Sequence, residues 1–314
     1  MDSELKWTVD HKSYSFHNFS LSNASNIGVQ KAESNKRKHL NSKRKTRLGA
    51  NSNGNFCVEQ NEHRRQKERL KYKKQKLNVN RHYGRSDEQA LLYEYAEIVG
   101  TQAFLKMVSL PVSIEHRPNA EFMSPNGSVP FIRLQSTLVA GFANIVEFVS
   151  QRGIKLTNTL SEAEIADMNA LISLISESLV RAEMYVCWKD SSNYQGVTRH
   201  RYGSVYLFPL NWILPPMKKL EMSAHLSSIG WSKLSMNDLV KKCDACFQAL
   251  SIKLGDRKFL MGSEPTELDA LAFGHLYSIL TTELPSMHLA NTLRKYTNLV
   301  KYCYDIDNDY FKLN

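Results

Sequence analysis

Apolar positions are spread unevenly along this chain of 314 residues. Up to residue 85 they are sparse and without period. From Leu91 they fall into short alternating stretches, and from Ser161 they recur at three-and-four spacing, the mark of one buried helix face. One stretch departs from all of these. From Glu264 to Leu280 the chain is apolar all round, which predicts a helix surrounded by protein rather than one lying on a surface. Its start is legible: Thr266 is a good N-cap, Asp269 stands three residues later where a capping box places its carboxylate, and Pro265 cannot continue a helix backwards. Pro285 marks the other end. Leu268, Leu271, Ala272, Leu276, Ile279 and Leu280 can pack on one side, while Ala270, Phe273 and Tyr277 require neighbours on the other. At about 17 residues it is too short and too polar to span a bilayer, so those neighbours should be helices.

The segments before it read as two kinds of structure. Leu91 to Ala96 predicts a first strand, Gly100 to Leu110 a helix, and Pro111 to Glu115 a second strand. A polar loop over 119–128 leads to a strand from Val129 to Leu134, a tight turn, a strand at 137–139, and a helix from about Phe142 to Gln151. A β-α-β unit, a hairpin and a helix around a Val-Pro dipeptide form a thioredoxin-like arrangement, in which Pro130 would be cis. The second half of the chain reads as all helix. Ser161 with Glu164 makes a capping box for a long helix whose Ile165, Met168, Ile172, Ile175, Leu179, Ala182 and Val186 share a face. Asp190 to Gly203 reads as loop, and Pro215-Pro216 and Gly230 bracket a shorter helix. Ser235 with Asp238 opens another that ends at Gly255, and an amphipathic helix runs from about His288 to Ile306.

Charge changes the picture of the N-terminus. Before residue 86 there are 20 Lys+Arg against 7 Asp+Glu, leaving 21 against 24 beyond it, so the net charge of +10 belongs to the first segment. That segment is rich in Ser, Asn, Lys and Arg, and is expected to be a disordered basic extension over 1–85. The domains then expected are a thioredoxin-like unit over 86–155 and an all-helical unit over 156–314. The basic clusters at 36–47 and 64–76 suit nuclear import, nucleic acid or acidic lipid, or a solvated tail with no dedicated partner. Base-stacking aromatics are scarce among them, with only Tyr72 and Tyr83, so no nucleic acid is expected. Five irregularly placed cysteines argue for a reducing compartment. The start Met-Asp-Ser-Glu, without an early apolar run, predicts neither a secretory signal nor a transit peptide. No transmembrane segment is predicted either.

Candidate chemistry is thin. Asp269 and His275 look like an acid/base pair but lie six residues apart, on roughly opposite sides of a helix, which leaves Asp269 as a cap and His275 as a hydrogen-bonded core or interface residue. Cys243 and Cys246 form a C-x-x-C, yet both fall on the apolar face of a mid-helix with Leu239, Phe247 and Leu250, where packing is the better reading. No second Cys/His pair completes a metal site. Trp188, Trp212 and Trp231, with Tyr202, Tyr206 and Phe208, form an aromatic region suited to packing or to a partner. No catalytic, cofactor-binding or metal-binding residue is assigned. Thr266, Asp269 and Pro130 are expected to be structural, and Tyr202, Trp212, Trp231 and His275 are candidates for a partner interface.

A thioredoxin-like half followed by a helical half with a Thr-x-x-Asp-capped buried helix resembles the glutathione transferases in architecture. Four motifs sharpen the resemblance: Asn119 to Ile132, Arg201 to Leu214, Ile229 to Lys233, and Pro265 to Thr282. They resemble the metaxins, most of all the metaxin-2 branch, from about Leu91 to the C-terminus. The resemblance implies a protein at the cytosolic face of the mitochondrial outer membrane, non-enzymatic and without a cofactor, acting in protein import and in β-barrel sorting and assembly. It implies a metaxin-1-like partner, contact with the β-barrel assembly machinery, and a link to mitochondrial transport adaptors. Metaxin-1-like proteins carry a C-terminal hydrophobic anchor, and the ending Asp309 to Asn314 has none, in keeping with a branch held peripherally by its partner.

Two other functions stay open at this point. One is an adaptor binding nucleic acid or anionic lipid through the basic tail. The other is an active glutathione transferase. That chemistry needs a Glu-Ser or Gln-Ser pair at the start of the helix after the hairpin, where the helix N-terminus holds the γ-glutamyl carboxylate. Gly141 and Phe142 stand there instead. At the expected end of the first strand, where a Tyr, Ser or Cys would activate the thiol, the chain offers Ala96 to Gly100, with Tyr95 and Thr101 nearby.

Overall fold

The computed structural model describes residues 81–85, 89–134 and 136–312. The two basic clusters and the rest of the expected extension up to residue 80 lie outside the described residues. A four-stranded mixed sheet comes first: β1 (Arg81–Arg85), β2 (Ser113–Arg117), β3 (Phe131–Leu134) and β4 (Thr137–Ala140), in the order β2-β1-β3-β4. β1 is parallel to β2 and antiparallel to β3, with Arg81 opposite both Ser113 and Arg133. An inner strand therefore lies within residues expected to belong to the extension. The sequence Arg-His-Tyr-Gly-Arg shows no alternation of apolar residues, so period alone could not reveal it.

The stretch from Leu91 to Ala96 is not a strand. It opens helix α1 (Leu92–Met107), which absorbs the shorter helix expected from Gly100. Aromatic and branched residues favour a strand on propensity, but tertiary burial decides here. Leu92, Ala96, Ile98, Val99, Ala103, Phe104 and Leu105 are all buried, and the Leu91 amide donates to Glu94 Oε2 at 3.0 Å to start the helix. The Val129–Pro130 peptide is cis, and after β4 the helix α2 runs from Phe142 to Gln151 as expected.

The helical half begins at Ser161. Its amide donates to Glu164 Oε2 at 2.8 Å and its Oγ accepts from the Glu164 amide at 3.4 Å. From this cap α3 (Glu162–Ile175), a π-helical turn (Ser176–Val180) and α4 (Arg181–Trp188) form one run. Met168, Ile175, Leu179, Ala182 and Val186 of the expected face are buried, and Ile165 and Ile172 half-buried.

Residues 191–203, expected as loop, are helical turns ending in α5 (Arg199–Gly203). Asp190 caps them, accepting from the Ser192 and Asn193 amides at 2.8 and 3.2 Å. Helix α6 (Leu210–Ser228) starts five residues before the prolines expected to open it. Pro215 cannot donate to the Asn211 carbonyl one turn back. Gly203 packs against that carbonyl: a Cβ there would stand 3.0 Å from the oxygen.

Helix α7 (Met236–Leu254) ends at Gly255 as expected, and α8 (Glu267–Thr281) is the helix capped by Thr266. The last amphipathic stretch is two helices, α9 (His288–Leu293) and α10 (Thr297–Tyr310). A tight turn separates them, in which the Tyr296 hydroxyl donates to Asp244 Oδ1 at 2.9 Å.

The two halves share one core, in which α1 lies against α8. Their backbones meet at Gly100 and Gly274. A Cβ on Gly274 would stand 2.4 Å from the Ala96 carbonyl oxygen and 2.7 Å from the Gly100 Cα, so only glycine permits this crossing. Among the described residues no helix is long and apolar enough to cross a membrane.

Candidate functional site

The N-terminus of α2 faces α1. Here the amide of Phe142 would meet an incoming carboxylate, since the first turn of a helix presents unpaired N–H groups and a partial positive charge. It already has one. Glu97, from the middle of α1, accepts from the Phe142 amide through Oε2 at 3.2 Å. Burial pushes the Glu97 carboxyl up, while the charge of His275 and the Phe142 hydrogen bond pull the other way.

His275, from α8, is fully buried and directs Nδ1 at both carboxylate oxygens of Glu183 on α4, each at 3.0 Å. Burial works against a charged imidazole, but the two carboxylates outweigh it and hold His275 above its ordinary value. Burial also pushes Glu183 up. Both shifts favour a proton retained within the pair. His275 Nε2 has no hydrogen-bond partner among the described residues. Three elements thus meet behind the head of α2. The sequence pattern identified His275 but neither Glu97 nor Glu183; a charged residue on an otherwise apolar face was the available signal for both.

A second cluster closes the end of β1. Arg85 is buried and pairs with Glu94 of α1 at 3.2 Å and with Glu121, in a 3₁₀ turn (Ala120–Met123), at 2.5 Å. Its guanidinium lies 5.6 Å from the centre of the Tyr202 ring, and that ring meets Trp188 edge-on at 5.6 Å. Burial pushes the Tyr202 phenol up to about 12. β1 ends at Arg85, so Ala96 to Gly100, which lie within α1, do not stand at the end of the first strand, and residues 86–88 lie outside the described residues. Thr101 is fully buried on α1 with no partner for its hydroxyl among the described residues, and Tyr95 is half-buried on the same helix.

The remaining candidates separate clearly. Asp269 Oδ2 accepts from the Thr266 amide at 2.8 Å and from its Oγ at 2.7 Å, while Oδ1 accepts from the Leu260 amide at 2.8 Å and from the Tyr302 hydroxyl at 2.9 Å. Among the described residues no hydrogen bond joins it to His275, Glu183 or Glu97. Cys243 and Cys246 are fully buried, and burial pushes the Cys246 thiol up to about 12 and Cys243 further, which suits packing rather than thiolate chemistry. Of the four interface candidates, His275 and Trp231 are buried within the chain and present no surface. Tyr202 is half-buried against Arg85, and Trp212 is 66% exposed.

The class defined by these features is a glutathione-transferase-like fold in which a carboxyl of the chain itself, Glu97, meets the head of α2. Residues 243–306 match the model of the glutathione S-transferase C-terminal domain, and residues 99–219 that of the outer mitochondrial membrane transport complex protein. The chain is 41% identical over 225 residues to metaxin-2 of Homo sapiens, covering 72% of this chain and 86% of that one. It is 44% identical over 195 residues to the metaxin-2 homolog of Caenorhabditis elegans, covering 62% and 85%. With metaxin-1 of Mus musculus the identity is 31% over 215 residues, 66% of this chain and 68% of the other. Among solved structures, glutathione S-transferase III in its apo form aligns at 14% identity with a TM-score of 0.46, over 72% of this chain and 90% of that one. The chain belongs to the metaxin family.

Proposed function

We propose that this chain is a non-enzymatic subunit of the protein import machinery of the mitochondrial outer membrane. In this reading it stands at the cytosolic face, acts with a metaxin-1-like partner in the sorting and assembly of β-barrel proteins, and is linked to mitochondrial transport adaptors. The observation that carries the non-enzymatic part is the Glu97 carboxylate on the Phe142 amide, where a transferase would receive the carboxylate of glutathione. An incoming carboxylate would meet the Glu97 carboxyl at close range, with no Glu-Ser or Gln-Ser pair to hold it. Kinship with metaxin-2 and metaxin-1, and the match to the transport-complex family, support the import role. Of the expected interface residues only Trp212 and part of Tyr202 reach the surface, and Trp212 belongs to an exposed apolar face of α6.

The test is recovery of the tagged full-length chain from mitochondria in mild detergent. A metaxin-1-like protein and components of the barrel assembly machinery should come with it in stoichiometric amount. Recovery of the chain alone, with its mitochondrial association intact, would contradict the reading.

A further inference from the structure

Helix α6 carries two apolar stripes. One, with Pro215, Met222 and Leu226, is buried in the helical half. The other, with Leu210, Ile213, Met217 and Leu220, follows the same three-and-four rule but points outward, at 49, 48, 59 and 73% exposure. The turn that leads into the helix continues it, for Leu207 and Phe208 are 85 and 81% exposed, and Trp212 adds an indole on the adjoining face. Side chains that stand this far clear of their neighbours form a projecting ridge rather than a groove. Contiguous apolar surface of this kind on a folded chain marks a contact with something else.

Charge indicates what that something is. From Ser191 to Leu220 there is no Asp or Glu, while Arg199, Arg201, Lys218 and Lys219 fall inside the run. Arg199 lies over the Trp212 ring at 5.3 Å, and Lys219 over the Tyr194 ring at 3.8 Å, so both cations rest on aromatic faces beside the ridge. Lys218 pairs with Glu221 at 2.6 Å, beyond the acid-free run, and Arg201 is turned inward onto the Ala90 carbonyl at 3.1 Å. A Trp, Phe and Leu ridge fringed by cations, with no carboxylate in the run that carries it and Glu221 at its end paired with Lys218, matches the interface of a bilayer, where indoles sit at headgroup level and cations meet lipid phosphates. We propose that the ridge from Leu207 to Leu220 inserts into the headgroup layer of an anionic membrane. The chain would then touch lipid through its folded part, independently of its basic N-terminal segment and of any partner. The proposal goes beyond the import reading and does not depend on it, because the test needs only the purified full chain.

The probe is a set of vesicles of phosphatidylcholine, with or without about 30% phosphatidylglycerol, and a second set carrying bromine on the acyl chains. A Trp7→Phe background leaves the buried Trp188 and Trp231 and the exposed Trp212 as emitters. The full chain should float with the anionic vesicles, and brominated lipid should quench a component of the emission that Trp212→Phe removes. Leu207→Ser with Phe208→Ser should weaken binding by about tenfold or more for each side chain, with an unchanged unfolding transition because neither side chain is packed. Binding that leaves Trp212 unquenched and ignores the double variant would show that the basic segment alone meets the lipid, and would overturn the proposal. Absence of vesicle binding, with the double variant losing a mitochondrial protein that the parent chain recovers, would assign the ridge to a protein and overturn it as well.

Discussion

Asp269 does more than cap a helix. The spacing Thr-x-x-Asp announced the cap, and the structure adds two donors from elsewhere in the chain, the Leu260 amide and the Tyr302 hydroxyl. These were invisible in the sequence, because nothing local links residue 269 to residue 302. The two caps should therefore differ in weight. Thr266→Ala removes one hydroxyl donor and should cost about 0.5 to 2 kcal/mol. Asp269→Ala leaves four donors unsatisfied, all on the buried residues Leu260, Thr266 and Tyr302, and should cost about 3 kcal/mol or more, with the double variant below the sum. Denaturation midpoints of the three variants check this order. The Glu183–His275 pair makes a prediction about pH. Both folded values are raised, so the native state binds more protons than the unfolded chain. The stabilisation is present below the unfolded value and is lost as pH rises through the folded one: from about 4.3 upward for Glu183 and from about 6.5 upward for His275. Stability should fall as pH is raised from about 6.5, by at most about 1.4 kcal/mol per pH unit for each proton. With both residues replaced by Gln, that part of the decline should vanish in the same titration.

At the scale of elements, the legible features came from capping and period, and the missed ones depended on tertiary contact. Ser161, Ser235 and Thr266 marked three helix starts correctly, and Gly255 an end, because caps act within one turn. β1 was missed because its sequence is polar, and α1 was split because its strand-like residues are buried by neighbours far along the chain. The loop expected at 190–203 became helical because Asn193, Tyr194, Thr198 and Gly203 all turn inward. The crossing of α1 and α8 was likewise unreadable, for Gly100 and Gly274 look like ordinary helix weaknesses until their backbones are seen together. That crossing gives a sharp expectation. Gly274→Ala must push the helices apart and should cost about 3 kcal/mol or more, whereas Gly100→Ala, whose Cβ would stand 3.2 Å from the Ala270 carbonyl oxygen, should cost less. Thermal or chemical unfolding of the two variants tests the ranking.

For the whole molecule, β1 places an inner strand of the sheet ahead of Leu91. A chain started at Leu91 lacks the strand that joins β2 to β3, leaving both with unpaired edges. It should fail to unfold cooperatively, while a chain started just before Arg81 should keep the unfolding transition of the full protein. Circular dichroism during denaturation separates the two. The glutathione-transferase-like architecture is expected from the order of elements, with its first strand misplaced at Leu91 to Ala96, and the four motifs carry the metaxin resemblance, but the feature that bears most on function is not legible: Glu97 reaching from α1 to the head of α2. The sequence showed that Gly141 and Phe142 lack the groups to clamp a peptide carboxylate; only the fold shows that a carboxylate of the chain is already seated there. The central claim is that this seat is closed to glutathione, and titration calorimetry of the full chain with millimolar glutathione tests it most directly. No saturable heat is predicted. Saturable binding in the micromolar range, accompanied by turnover in a thiol-conjugation assay, would contradict the claim and return the chain to the transferases.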